Sequence, residues 1–352
     1  MGTTLITGGA GFVGANIALR LAAEDHDVVA LDNLKRRGSE LNLPRLQAGG
    51  VRFVHGDVRA LADLEGIGAV DTVVECSAEP SALAGLDGST AYLLDSNLRG
   101  AYQCFDFARR RDAQVVFLST SRVYPYGSLG AANLVEGDTR FALAERQESP
   151  GLTALGVSEN FSLEGPRTLY GATKLAAELV LTEYGAAFDV PWTVNRCGVV
   201  AGPWQMGKAD QGVFVHWARA HWFGTPLAYI GYGGNGKQVR DLLHVDDLAD
   251  LVVRQLASPA DWRGVVANVG GGLEISLSLL ETTALCRELT GRTVPIEPEP
   301  NARPGDVPLY VSDCSRLYAR TDWRPRRDAE TIMGDIVAWI KDNEDDVRRL
   351  PA

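Results

Sequence analysis

Apolar positions fall into two rhythms along the first half of the chain. Short apolar runs at Thr3–Thr7, Val28–Asp32, Val51–His55, Thr72–Cys76 and Val115–Ser119 read as strands. Longer mixed stretches, such as Phe12–Ala23 and Leu98–Arg111, read as helices between them. A further helix is expected from Leu169 to Tyr184, followed by a strand at Trp192–Cys197. Strand alternating with helix predicts a parallel sheet covered on both faces. The expected class is therefore α/β: a Rossmann-type doubly wound parallel sheet with a smaller C-terminal α/β lobe. The regularity weakens after Gly202, where glycine and proline become frequent, as in Gly231–Gly236 and Pro298–Pro308. Residues 1–195 are assigned to the sheet domain, with 240–257 returning to it, and 196–352 mainly to the lobe. No repeat, low-complexity tract or separating linker interrupts the chain.

Composition narrows the function class. The 352 residues are 45% hydrophobic, long enough for a sizeable core. Thirty-four basic against 45 acidic residues give a formal charge of -11. That balance disfavours binding to a nucleic-acid backbone, though a local arginine pair can still hold a diphosphate. The five cysteines, Cys76, Cys104, Cys197, Cys286 and Cys314, show no CxxC spacing. Reduced thiols in the cytoplasm are expected, with neither a disulfide framework nor a metal site. No apolar run is long enough to span a bilayer, and no signal peptide is read at Met1–Thr4.

The first candidate site follows the first strand. Gly8-Gly9-Ala10-Gly11-Phe12-Val13-Gly14 gives the spacing GxxGxxG and opens the first helix. Glycine there lets backbone approach a pyrophosphate at the positive end of the helix. Asp32 ends the second strand and is placed to accept hydrogen bonds from an adenosine ribose, which favours NAD. Asp57, after the third strand, is a candidate for the adenine or else a turn acid.

The second candidate site is Tyr170-Gly171-Ala172-Thr173-Lys174, a YxxxK pattern on a predicted helix. The i,i+4 spacing puts phenol and ammonium on one face. A free tyrosine titrates at about 10, and a neighbouring cation lowers that value, so Tyr170 can act as a base. Ser119, Thr120 and Ser121 lie at the carboxyl end of the fifth strand, the edge where such sheets bind ligands. A hydroxyl there can bond the reacting oxygen.

With these motifs in place the sequence resembles the extended short-chain dehydrogenase/reductases. The resemblance selects Thr120 as the catalytic hydroxyl, four residues before Tyr124, with Tyr170 and Lys174 completing the trio. It implies NAD as cofactor, with contacts from Gly8, Gly11, Phe12, Val13, Gly14, Asp32, Asn33, Asp57, Val58, Ser77, Ala78 and Asn97 as well as Tyr170 and Lys174. It also matches Arg240 and Arg303 to two arginines that grip a substrate diphosphate, and guanidinium forks suit phosphate oxygens. The plain alternative for each is an ion pair with Asp241 or Asp306. His244 is read as part of the fold, not as a base. Glu79, Ser121, Arg122, Met206, Lys208, Gln211 and Phe214 are further candidates for substrate contact.

Two segments, Glu75–Ser81 and Arg196–Lys208, narrow the resemblance to the CDP-paratose 2-epimerases, also called CDP-tyvelose epimerases. This implies inversion of C2 of a CDP-linked deoxyhexose through a transient 2-keto sugar. A 4-epimerase, a dehydratase, a decarboxylase and a non-catalytic dinucleotide sensor remain alternatives. Ser121-Arg122 stands where a 4,6-dehydratase has an acid pair, which argues against elimination. The resemblance also implies a homodimer or homotetramer packing helices near Leu98–Arg111 and Leu169–Tyr184. The connection between Thr120 and Tyr170 is expected to be a functional loop, and its later part, Phe141–Gly156, gives no recognisable contact.

Overall fold

The computed structural model describes residues 2–86, 89–207 and 211–350. The chain forms two compact units: Met1–Val123 with Leu169–Arg196 and Leu248–Val266, and Tyr124–Thr168 with Cys197–Asp247 and Ala267–Ala352.

The first unit is built on five parallel strands: β1 (Thr3–Thr7), β2 (Asp27–Asp32), β3 (Arg52–His55), β4 (Thr72–Glu75) and β5 (Gln114–Thr120). Their spatial order is β5-β4-β1-β2-β3, with Trp192–Cys197 and then Val265–Val269 continuing the sheet beyond β5. The chain therefore winds outward both ways from β1, and ligands of such sheets bind at the carboxyl ends of the strands beside that reversal. Every expected strand is present, with each bound within one residue of its expected place. Leu5, Val29, Val73 and Phe117 are buried together with Phe105 and Phe107 from the helix Gly100–Arg109, and the Phe105 and Phe117 rings meet edge-on at 5.4 Å. The expected helix at Leu98–Arg111 is preceded by Ala91–Leu94 and a wider-wound turn at Asp95–Arg99. The helix bearing Tyr170 runs from Leu169 to Phe188, one turn past its expected end. The ring contact of Tyr184 with Phe188, at 5.3 Å, lies on that extra turn.

The second unit has a four-stranded sheet of Val199–Ala201, Val239–His244, Ser276–Ser278 and Leu309–Tyr310, and a parallel pair, Leu227–Ile230 with Ile296–Glu299. Its core lies among the helices Val213–Phe223, Leu279–Thr290 and Ala329–Asp342, where Phe214, Trp217, Ile332, Ile336 and Trp339 are buried. The sequence pattern assigned residues 124–168 to the sheet domain, but their contacts lie in this second unit. Phe141 N donates to Lys237 O at 2.9 Å, and Val157 N to Val311 O at 2.8 Å. Arg140 pairs with Glu281, whose own oxygen also accepts from Ser278 N at 2.9 Å in a capping box. These are long-range polar contacts of short hairpins, which no local periodicity announces. The segment of the later chain that joins the first unit is Leu248–Val266, shifted from the expected 240–257. Among the described residues no helix is long and apolar enough to cross a membrane.

Candidate active site

The glycine turn is closed on itself. Gly8 takes φ +61°, and its carbonyl accepts from Gly11 N at 3.0 Å. A Cβ at Gly14 would lie 2.2 Å from that same carbonyl oxygen, so only glycine lets the first helical turn press so closely on the strand end. The helix Phe12–Ala22 begins at Gly11 without a side-chain cap, which leaves its first N–H groups available to a ligand. Asp32 braces the turn: its carboxylate accepts from Ala10 N at 3.1 Å and from Leu34 N at 2.8 Å. Burial raises its pKa, against these two hydrogen bonds.

Asp57 is committed locally. Arg59 grips its carboxylate at 2.6–3.1 Å, and Asn33 donates at 2.9 Å. The Arg59 hydrogen bonds hold its carboxyl far below the usual range. Asn97 is fully buried and clamps the loop after β4, its amide bonding both Glu79 N (2.7 Å) and Glu79 O (3.0 Å). Val58 packs in the core of the unit, and Ser77 donates to Glu75. Phe12, Val13, Ala78 and Glu79 are half-buried at the strand ends.

The expected trio, Thr120, Tyr170 and Lys174, lies within the first unit. Thr120 closes β5 and is 8% exposed; its Oγ1 accepts from Arg122 N at 3.2 Å. The helix Leu169–Phe188 reaches this strand end through Gly171, which packs on the Arg122 carbonyl. Tyr170, next to it, is half-buried, and Lys174 is 2% exposed. Lys174 Nζ lies 3.5 Å from Glu75 and 4.5 Å from the Phe117 ring centroid. Ser119, a second choice for the reacting hydroxyl, is buried and donates to Glu178, which Arg196 grips at 2.7–3.2 Å. Ser121 is half-buried in the short turn after β5.

In the second unit Arg240 donates to Asp306 Oδ1 at 2.6 Å and to the carbonyl of Val307 at 2.7 Å. Asp306 N donates in turn to Arg303 O at 3.1 Å, so both arginines share one loop cluster. Burial lowers the His216 pKa, and the charges of Arg219 and Arg303 act in the same direction. Phe214, expected to touch substrate, is instead 1% exposed in the core, because the inward face of that helix carries the packing. Met206 is partly buried against the same core. Gln211 is half-buried, and its Oε1 has no hydrogen-bond partner among the described residues. Lys208 lies outside the described residues. His244 is 2% exposed, accepts from Asp246 N at 3.1 Å and is held below the usual imidazole range by burial, as suits a fold residue.

Residues 4–270 match the family described as NAD dependent epimerase/dehydratase. The chain belongs to that family. It is 28% identical to the CDP-paratose 2-epimerase of Salmonella typhi, over 95% of this chain and 98% of that one. It is 29% identical to the dTDP-L-rhamnose 4-epimerase of Burkholderia thailandensis, over 96% and 94%. Among solved structures, the UDP-glucose 4-epimerase of Thermus thermophilus in complex with NAD superposes with a TM-score of 0.77 at 26% identity, covering 96% and 99% of the two chains.

The cofactor of this epimerase/dehydratase family is NAD, and the residues present fit it. The bare backbone at Gly8, Gly11 and Gly14 is a cradle that a Cβ would fill, and Asp32 stands at its edge. Sequence reasoning did not single out Glu75 or Glu178. The signal for Glu75 was an acid ending an otherwise apolar strand. Glu178 stands four residues beyond Lys174, on the same helical face as the dyad.

Proposed function

We propose that this enzyme inverts C2 of a CDP-linked deoxyhexose by oxidation to a transient 2-keto sugar and reduction from the opposite face. The observation that carries the oxidation–reduction chemistry is Tyr170 and Lys174 on the helix whose Gly171 is pressed to the end of β5, where Thr120 sits. Thr120 bonds the reacting oxygen, and Tyr170 takes its proton. Lys174 supplies the charge that favours the phenolate. When bound, NAD provides the acceptor for the carbinol hydride and returns it. Arg240 and Arg303 hold the diphosphate, leaving the sugar free to turn between the two transfers. The choice of CDP and C2 is supported by the near full-length likeness to CDP-paratose 2-epimerase. Inversion at C4 is the second reading, favoured by the similar identity to dTDP-L-rhamnose 4-epimerase. A second copy of this chain is the partner we propose. Tyr102, Leu179 and Phe188 are exposed on the helices Gly100–Arg109 and Leu169–Phe188, an apolar area suited to an isologous interface.

The test is incubation with CDP-, UDP-, GDP- and dTDP-sugars in deuterated water, followed by NMR. C2 inversion of a CDP-sugar without deuterium at C2 is expected. Deuterium at C2 would mean proton abstraction from carbon, and inversion at C4 or loss of water would overturn the reading.

A further inference from the structure

The acid that ends β4 has no role in the chemistry above, yet it is the most buried charge beside it. Glu75 is 0% exposed, in register between Thr7 of β1 and Phe117 of β5. One carboxylate oxygen accepts from the Ser77 hydroxyl, and the other lies 3.5 Å from Lys174 Nζ. The pair is almost wholly removed from water, with side-chain exposures of 3% and 0%. The remaining groups that face it are few. Cys104, on the helix Gly100–Arg109, is a buried thiol that feels both charges. Glu178, one turn beyond Lys174, is taken by Arg196 and Ser119. Phe117 offers only its ring. Among the described residues Glu75 is therefore the one ion-pair partner of Lys174.

A lysine carries its charge on a flexible four-carbon stem, so its field at a neighbouring phenol depends on where the stem is held. An ordinary strand end would be apolar, and a buried carboxylate is costly unless its partner repays the desolvation. We propose that Glu75 is a positioning residue of the tyrosine–lysine dyad: it fixes the Lys174 ammonium by a buried ion pair and is itself oriented by Ser77. The proposal rests on the reading of Tyr170 as base and Lys174 as its charge partner. Glu75 touches neither substrate nor phenol in this role; it acts through Lys174.

The test needs no substrate. The phenolate of Tyr170 is titrated by ultraviolet difference absorbance in the full chain saturated with NAD, with Tyr170→Phe as the blank. Lys174→Met gives the midpoint with the charge absent. Glu75→Gln keeps shape and hydrogen bonding but drops the charge. Its midpoint is expected to rise by about one pH unit, toward that of Lys174→Met, because release of the ammonium outweighs the loss of the carboxylate charge, which by itself would lower it. Glu75→Asp, which keeps a charge on a shorter arm, should fall between wild type and Glu75→Gln, and it carries the test alone if Glu75→Gln does not fold. A Glu75→Gln midpoint at or below wild type overturns the proposal, as does Glu75→Asp matching wild type when it stands alone. If Lys174→Met leaves the midpoint unmoved, the dyad reading itself fails, a result separable from failure at Glu75.

Discussion

Gly171 meets the carbonyl of Arg122 so closely that a Cβ on it would lie 2.1 Å from the carbonyl oxygen. The contact presses the helix Leu169–Phe188, which carries Tyr170, onto the turn that follows Thr120. A methyl group there must push the helix away or distort the turn, at a cost of about 1–3 kcal/mol. Gly171→Ala is expected to lower the melting temperature and to reduce kcat more than NAD affinity, since the glycine turn is elsewhere. Thermal denaturation and calorimetry with NAD, beside kinetics on the NMR-identified substrate, check this. Wild-type kcat would show that the contact does not set the geometry.

Tyr170→Phe keeps the ring and removes the hydroxyl. Turnover should fall about 10²–10⁴-fold, the usual worth of a positioned acid–base group, with cofactor and substrate binding little changed. Lys174→Ala should lose activity and some NAD affinity as well. Steady-state kinetics beside binding calorimetry separate the two effects.

How much of this was legible in the sequence depends on how local each signal was. The turn Gly8–Gly14, Asp32, Tyr170 and Lys174 stand on contiguous patterns, and each falls at a strand end or on the expected helix. Phe214 was misjudged because a helix next to unusual sequence gives no sign of which face turns inward; the core that buries it comes from helices far along the chain. Asp57, which reads as an adenine contact or a turn acid, is gripped by Arg59, and Asn97 bonds the Glu79 backbone, partners set by loop geometry. Glu75 was visible only as an oddity of composition, since its partner Lys174 is 99 positions away. The hairpins of 124–168 were invisible for another reason: each is too short to show a period.

NAD should bind at least about tenfold more tightly than NADP, equivalent to about 1.4 kcal/mol. A 2′-phosphate would meet the Asp32 carboxylate, which is already turned toward the Ala10 and Leu34 amides. Two of the nearby cations have other neighbours: Lys35 lies 3.8 Å over the Tyr92 ring, and Arg37, largely exposed, is 3.8 Å from Glu40. Calorimetric titration with both cofactors decides the matter, and tighter NADP binding would refute it.

Arg240→Ala and Arg303→Ala should each weaken sugar-nucleotide binding by about 1.5–3 kcal/mol, the range for a lost charged hydrogen bond. NAD affinity should hardly move, because the cofactor residues belong to the first unit. The two variants should differ in stability. Arg240 neutralises Asp306 and bonds two carbonyls, Val239 O and Val307 O, so its loss also lowers the melting temperature. Equal loss of both affinities would place the arginines outside the diphosphate site.

Asp241 gives the protein a stability term that runs against the usual acid denaturation. The side chain is 0% exposed; its Oδ2 accepts from Ser312 N at 3.1 Å, and its Oδ1 has no hydrogen-bond partner among the described residues. Burial pushes its carboxyl up from 3.8 to about 6, with the hydrogen bonds from Ser312 and Gly272 opposing. A carboxyl whose folded pKa lies above its unfolded value binds its proton more tightly when folded. Its contribution is therefore complete below about pH 4 and is lost as the pH rises through about 6. Asp241→Asn resembles the protonated acid and does not titrate. Relative to that variant, wild type should lose stability between pH 4 and 7, by on the order of 2–3 kcal/mol for a shift of this size. The comparison cancels the contributions of other carboxyls, such as Asp57, which change in the opposite sense. Urea melts of both proteins across that window measure the difference directly. A difference that stays flat would mean that Asp241 is charged throughout, and one that grows toward low pH would reverse the sign argued here.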